Sequence, residues 1–433
     1  NTIRLILSLA AAFIMHNHFN SIRSFFSNTT TSLWVLSFFF VSWSVFSIHK
    51  FVLALLLLTI VWQHITTGFS TRFKISEVSL PLLLITSGVI GGFSSNLNFS
   101  WQNYIAMSLL GAGIYLALLL LLCERNKKST FSITAYTSLV IAMAIGGGLV
   151  AIEVTLEFFT RPENIQETVQ TQAHWLLLVV PNDITLLIIF VPLLLSIAIL
   201  YNNSLSVILF FLYIALTFTA VAILSSRTAM VSLIIAIMVF SGIYRPKLLL
   251  LSALILLPCI IFFVYILDHS LWNKRWDIGA RRQIWSTSFA MIADRPWLGH
   301  GGLSFSQLYQ TYQSVVPNKI DPRHMPWPHN LYIEILVERG IVGFIIFSAI
   351  IFRIIRMLFN ILSIDSNCKI LACGLISAWS VFISASITEL SFIRYWVIVM
   401  FFTLWAMTES INKLSSAAID KPVYKSQKVS TDF

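Results

Sequence analysis

The chain has 433 residues, 57% of them hydrophobic and only 11% charged, with a mean hydropathy of +0.84. A soluble domain carries about 25% charged residues, and no globular core could hide this much apolar surface, so soluble fold classes are excluded. The formal net charge of +10 is not read as a nucleic-acid footprint, because Lys and Arg gather in short segments between apolar blocks, where they face anionic headgroups.

The apolar blocks are continuous rather than alternating, which selects helices over transmembrane strands. A helix also lets each backbone group bond within its own segment inside lipid. In chain order, spans are expected near residues 3–20, 32–48, 51–69, 78–95, 104–123, 131–154, 175–200, 205–224, 228–244, 247–267, 340–360, 368–388 and 392–410. The expected fold is therefore all-α, a polytopic transmembrane bundle of 12–13 spans. Residues 1–267 form an N-terminal bundle, 268–339 one large loop between late spans, 340–410 the C-terminal helices and 411–433 a tail. The four cysteines, Cys123, Cys259, Cys368 and Cys373, form no CxxC pair, so neither a disulfide frame nor a zinc site is expected.

Charge bias orients the bundle. The basic segments Glu124–Lys128, Tyr244–Lys247, Arg353–Arg356 and Lys421–Lys428 are separated by even numbers of spans, so all can be cytoplasmic together. That parity puts 155–174 and the loop 268–339 on the outer side. Long ordered loops in compact proteins usually carry function. This one holds seven Lys/Arg and six Asp/Glu up to Glu338.

Three outer features could carry chemistry. Arg227, in SSRTAM, ends one apolar span and starts the next; it snorkels to headgroups or binds an anion, for which its planar fork is suited. Arg281 and Arg282 open a stretch of helical spacing that includes Ile284, Trp285, Phe289 and Ile292. They form either the basic face of a surface-lying helix or an anion contact. The Gly-rich run RPWLGHGG (295–302) follows; it permits a tight turn and is not a P-loop. Third, Pro328 and His329 read as a helix start, where an imidazole tends to stay neutral and able to accept a proton. His329 either serves as that base or merely caps the helix, with His300 and His324 as substitutes. Glu334 and Glu338 are not spaced to meet its ring. No metal-ligand set and no cofactor motif is found.

Taken together, SSRTAM, ARRQIW, RPWLGHGG and PHNLYIEILVERGIVG resemble the O-antigen ligase and polymerase superfamily of bacterial membrane glycosyltransferases, with PNDITLL (181–187) as a further similar segment. The likeness runs over about residues 175–400. It implies an enzyme of the bacterial inner membrane whose site lies on the periplasmic side. The donor is a glycan on undecaprenyl diphosphate, and no cofactor, metal or nucleic acid takes part. It implies His329 as the catalytic base and Arg227 and Arg281 as diphosphate ligands, with Arg282 and Asn330 as auxiliary candidates. The favoured branch is the ligase, which passes the glycan to the lipid A-core oligosaccharide. The alternatives are a repeat-unit polymerase, a protein O-oligosaccharyltransferase and, from another class, a transporter or flippase. The short C-terminal tail counts against the protein-glycosylating branch. The lack of internal repeats counts against a transporter.

Overall fold

A computed structural model describes residues 58, 75–94, 101–122, 129–160, 184–224, 226–247, 278–313, 325–363 and 367–419. The described residues are helical, with no strand among them. In chain order the helices are α1 (Ile75–Ser94), α2 (Trp101–Leu122), α3 (Ser129–Thr160), α4 (Thr185–Ile188), α5 (Phe190–Tyr201), α6 (Ser204–Ile223), α7 (Arg227–Tyr244), α8 (Ile278–Asp294), α9 (Phe305–Gln313), α10 (Leu331–Leu362), α11 (Asn367–Ala385) and α12 (Tyr395–Ile419). Seven of them, α2, α3, α6, α7, α10, α11 and α12, are long and apolar enough to cross a membrane, while α1 and the α4–α5 pair are shorter apolar helices. The expected spans at 3–20, 32–48, 51–69 and 247–267 lie outside the described residues.

Short polar residues punctuate the bundle. Asn202 ends α5 in the left-handed region (φ 45°), and Asn203 caps α6 by accepting from the Ser206 amide at 2.8 Å. Two asparagines thus reverse the chain, each in a role its side chain suits. Ser226 caps α7 in the same way, accepting from the Ala229 amide at 3.4 Å.

The centre of the bundle is α11 and α12. Trp379, Phe382, Phe401 and Trp405 are fully buried there. Small residues let the helices close on one another, as is usual between helices in lipid. A Cβ on Gly374 would meet Pro192 O of α5 at 3.0 Å, and one on Gly111 of α2 would strike Phe402 and Ile398 of α12. The other major helices wrap this centre. At one end, two ion pairs tie α12 to its neighbours: Lys413 to Glu77 of α1 at 2.9 Å, and Arg353 of α10 to Glu409 at 2.6 Å.

The loop expected to end at 339 ends instead near Asn330, because α10 begins at Leu331. Hydropathy misses these first turns because they carry Glu334, Glu338 and Arg339. Gly340 (φ 62°, ψ −166°) then breaks the helix within its length. A break inside a helix orphans backbone groups, and here two carbonyls and two amides find partners in one other segment. Val337 O and Glu338 O accept from the amides of His300 (2.9 Å) and Gly301 (2.8 Å). The amides of Ile341 and Val342 donate to Pro296 O (2.8 Å) and Trp297 O (3.2 Å). The RPWLGHGG segment is thus inserted into the gap in α10. Only glycine allows so close an approach: a Cβ on Gly340 would lie 2.3 Å from Trp297 O, and one on Gly299 2.5 Å from Glu338 C. A second, smaller core sits over this junction, formed by Ile284 and Met291 of α8, Phe305, Leu308 and Tyr309 of α9, and Val337 of α10. It fixes α8 to the head of α10.

Candidate active site

The site lies at the end of the bundle where α7, α8, α10 and α12 all begin. At its centre is the turn that joins α11 to α12, residues 386–394. Thr388 bonds Thr228 of the first turn of α7 at 2.9 Å between hydroxyls. Ser386 O accepts from the Leu331 amide at the start of α10 at 2.8 Å. The Phe392 amide donates to Glu334 Oε1 at 2.9 Å. Four helix N-termini therefore surround one turn, and each end carries a partial positive charge.

Glu389, in that turn, is only 2% exposed and receives two of the predicted site residues. Arg281 Nη2 donates to Glu389 Oε1 at 2.5 Å, although the two residues are 108 positions apart. His329 Nδ1 stands 3.5 Å from Glu389 Oε2. Among the described residues neither His329 Nδ1 nor Glu389 Oε2 has a hydrogen-bond partner, and the contact between them is an ion-pair approach. One carboxylate thus has a cation on one oxygen and an imidazole on the other. A carboxylate beside Nδ1 favours the tautomer with hydrogen there, which leaves Nε2 as the acceptor. The exposures match this reading: the side chains of Arg281 and His329 are 39% and 25% accessible, so both retain an open edge.

The segment around His329 is held from several directions. Asn330 is the N-cap of α10, accepting from the Tyr332 and Ile333 amides at 2.9 and 3.1 Å. His329 precedes the cap and takes a left-handed backbone (φ 53°). It is therefore not the capping residue; that role belongs to Asn330. Trp285, one helical turn after Arg281, donates from Nε1 to Pro328 O at 3.0 Å. Arg281 and Trp285 share a face of α8, so one helix supplies both the cation and the strut that places the histidine. Trp327 packs on the His329 ring with centroids 5.3 Å apart, and the Arg394 guanidinium lies 4.5 Å from the Trp327 centroid.

Arg227 occupies the first position of α7 and is exposed. The Thr228–Thr388 bond puts its helix end beside the residue that precedes Glu389. Arg282 is also exposed, on a different face of α8 from Arg281. His300 is buried away from the turn, with Nε2 at 2.9 Å from Met291 O. Burial holds its pKa below the usual histidine value, against the opposing effect of that bond to Met291. His324 falls outside the described residues. Glu334 and Glu338 do not meet the imidazole; Glu334 serves the Phe392 amide, and Glu338 packs with Arg339, its Oε2 at 3.8 Å from Arg339 Nη1. A cavity between α1, α2, α10 and α12, lined by Tyr104, Met107, Arg339 and Phe392 among others, lies behind the site and is not walled by Arg227, Arg281 or His329. Among the described residues, no three His, Cys, Asp or Glu side chains gather to hold a metal ion.

Sequence reasoning missed Glu389. Its signal was a lone carboxylate at the end of an apolar span, where ionisable residues are costly and mark function.

Residues 212–348 match the family described as O-antigen ligase. No curated protein matches the sequence. The O-antigen ligase match runs from within α6 to within α10 and so includes Arg227, Arg281 and His329, whereas Glu389 lies beyond it. O-antigen ligase family members are multi-pass membrane proteins of glycosyltransferase type, in keeping with the helical bundle described above.

Proposed function

We propose that the chain transfers a glycan from undecaprenyl diphosphate to the lipid A-core oligosaccharide, at the periplasmic face of a bacterial inner membrane. The observation that carries this reading is the convergence of Arg281 and His329 on buried Glu389. In this scheme His329 Nε2 takes the proton from an acceptor hydroxyl. The freed oxygen attacks the anomeric carbon from the face opposite the leaving group, so the configuration inverts. The bond to the diphosphate breaks, and its electron pair leaves with the phosphate oxygen. Glu389 stabilises the imidazolium that results.

Arg281 and Arg227 take up the charge developing on the diphosphate. Preorganised cations aimed at a leaving group are worth most where water is excluded. Support comes also from the placement of arginines at helix starts. A cation in the first turn opposes the helix dipole; Arg227 and Arg281 both stand there, and Arg394 immediately precedes α12. Such an arrangement suits a site that receives an anion. Asn330 acts through the cap that positions His329, whereas Arg282, exposed on another face of α8, takes no part in this scheme.

The test is transfer in detergent from purified lipid-linked donor to lipid A-core acceptor. His329→Ala should insert normally yet lose about 10²–10⁴-fold in rate. A fully active His329→Ala enzyme overturns the scheme. Deleting the gene in its host distinguishes the branches. Loss of all long chains from lipid A, with lipid-linked polymer accumulating, identifies a ligase. Lipid A capped with single repeats identifies a polymerase instead.

A further inference from the structure

The segment that plugs the break in α10 leaves large apolar side chains uncovered. Trp297 is 67% exposed and Phe289, on the outward face of α8, is 55% exposed. Leu298 is exposed beside Trp297. These side chains are not scattered. Trp297 O accepts from the Val342 amide of α10, and Leu298 O lies against Gly91 of α1, where a Cβ would come within 2.4 Å. Around these two anchors, Val342 and Ile345 of α10 and Ile90 and Phe93 of α1 also point outward. The apolar surface of the plug therefore continues that of two apolar helices.

The depth follows from α10. Its 32 residues would measure about 48 Å at 1.5 Å per residue, against a hydrocarbon core of about 30 Å. The first turns carry Glu334, Glu338 and Arg339, and the unbroken apolar run starts only at Ile341. The hydrocarbon boundary on this side thus falls near Ile341 and Val342, beside Trp297. That is the level at which tryptophan is enriched, with its ring in the acyl region and its N–H toward headgroups.

We propose that α8 and the turn after it rest on the bilayer interface, with Phe289, Trp297 and Leu298 seated at the boundary between acyl chains and headgroups. Arg282, two turns before Phe289 on the same outward face, then reaches the phosphate layer as a snorkelling cation. The occupant of this face is lipid, because the surface is continuous with helices that themselves meet lipid. Arg281 points inward from the same helix, so the seating sets the height of the Arg281–Glu389–His329 group relative to the lipid phosphates. This placement stands independently of the reaction proposed above.

The test is spin labelling in lipid nanodiscs. Single cysteines at Phe289 and Trp297, with Gln310 on the polar outward face of α9 as a control, are introduced into a chain whose four native cysteines are alanine. Labels at 289 and 297 should relax more with oxygen, which concentrates in acyl chains, than with a water-soluble nickel chelate. The label at 310 should show the reverse. Preference for the chelate at 289 and 297 overturns the proposal, and so does protection from both reagents, since another segment of the chain would then cover the face. A second measurement leaves the native cysteines in place. Trp297→Tyr should remove part of the emission that brominated lipid quenches in the wild type; unchanged quenching overturns the proposal as well.

Discussion

Replacing Glu389 by Gln tests the centre of the proposed site with almost no change in shape. The amide keeps the volume and one acceptor oxygen, so the turn between α11 and α12 should persist. Removing one partner of a fully buried ion pair costs about 3–5 kcal/mol. Here the partner left behind is Arg281, whose side chain is 39% accessible and can rehydrate, so the loss of stability should fall well short of that. The effect on rate is larger in proportion. A hydrogen bond to a charged group contributes about 1.5–3 kcal/mol, which corresponds to roughly 10- to 150-fold in rate when it is made to the imidazolium of the transition state. The 3.5 Å separation of His329 Nδ1 from Glu389 Oε2 is long for such a bond, and contacts of this kind tighten once substrate is seated. The assay is glycan transfer from purified donor, measured as kcat and KM for Glu389→Gln, His329→Ala and the double variant. If Glu389 acts through the imidazole, Glu389→Gln lowers kcat in the wild type and changes it by less than about 3-fold when His329 is already absent, because residues that work as a unit are not additive. Equal losses in both backgrounds would refute the coupling. Glu389 would then be a structural partner of Arg281 alone.

Arg281→Lys should lose at least about 10-fold in transfer, since an ammonium cannot hold Glu389 and a phosphate with one planar fork; full activity would show that a point charge suffices. Gly340→Ala should destabilise the protein by about 2–6 kcal/mol, combining strain from a glycine-only backbone region, about 1–3, with the clash against Trp297 O, about 1–3. Thermal unfolding in detergent should show a correspondingly lower midpoint. His300 adds a pH dependence. Its pKa is held below the ordinary value by burial, so the unfolded chain binds the proton more readily. The stability it contributes is complete above about pH 6.5 and declines as pH falls from there through the lower folded pKa. The unfolding midpoint should therefore drop between pH 7.5 and pH 5.5, and His300→Gln should reduce that drop.

The bundle was legible because hydropathy along a helix reports the solvent around it. The expected spans from 78–95 onward that fall in described residues each coincide with an apolar helix or, for the described part of 175–200, with the pair α4–α5. The boundary at 339 was misplaced for the same reason. A charged ERG sequence reads as loop, but Glu338 and Arg339 continue a helix whose broken bonds are made good by another part of the chain. That repair also gives the RPWLGHGG segment its physical meaning. Its glycines let the backbone of residues 296–301 enter the gap at Gly340. Helix α8 is thereby fixed to the head of α10, and Arg281 to His329. Glu389 was marked only by its place at the end of an apolar span, and nothing in SITEL says which residues that carboxylate meets. Its importance arises only when α11 returns the chain to the starts of α7, α8 and α10. The motif residues had been grouped on one side of the membrane by counting spans, yet sharing a side is a weak constraint. Two groups can share a side and never meet. What brings Arg281 and His329 together is a carboxylate 108 positions beyond the first of them, buried in the turn between α11 and α12 with one oxygen toward each.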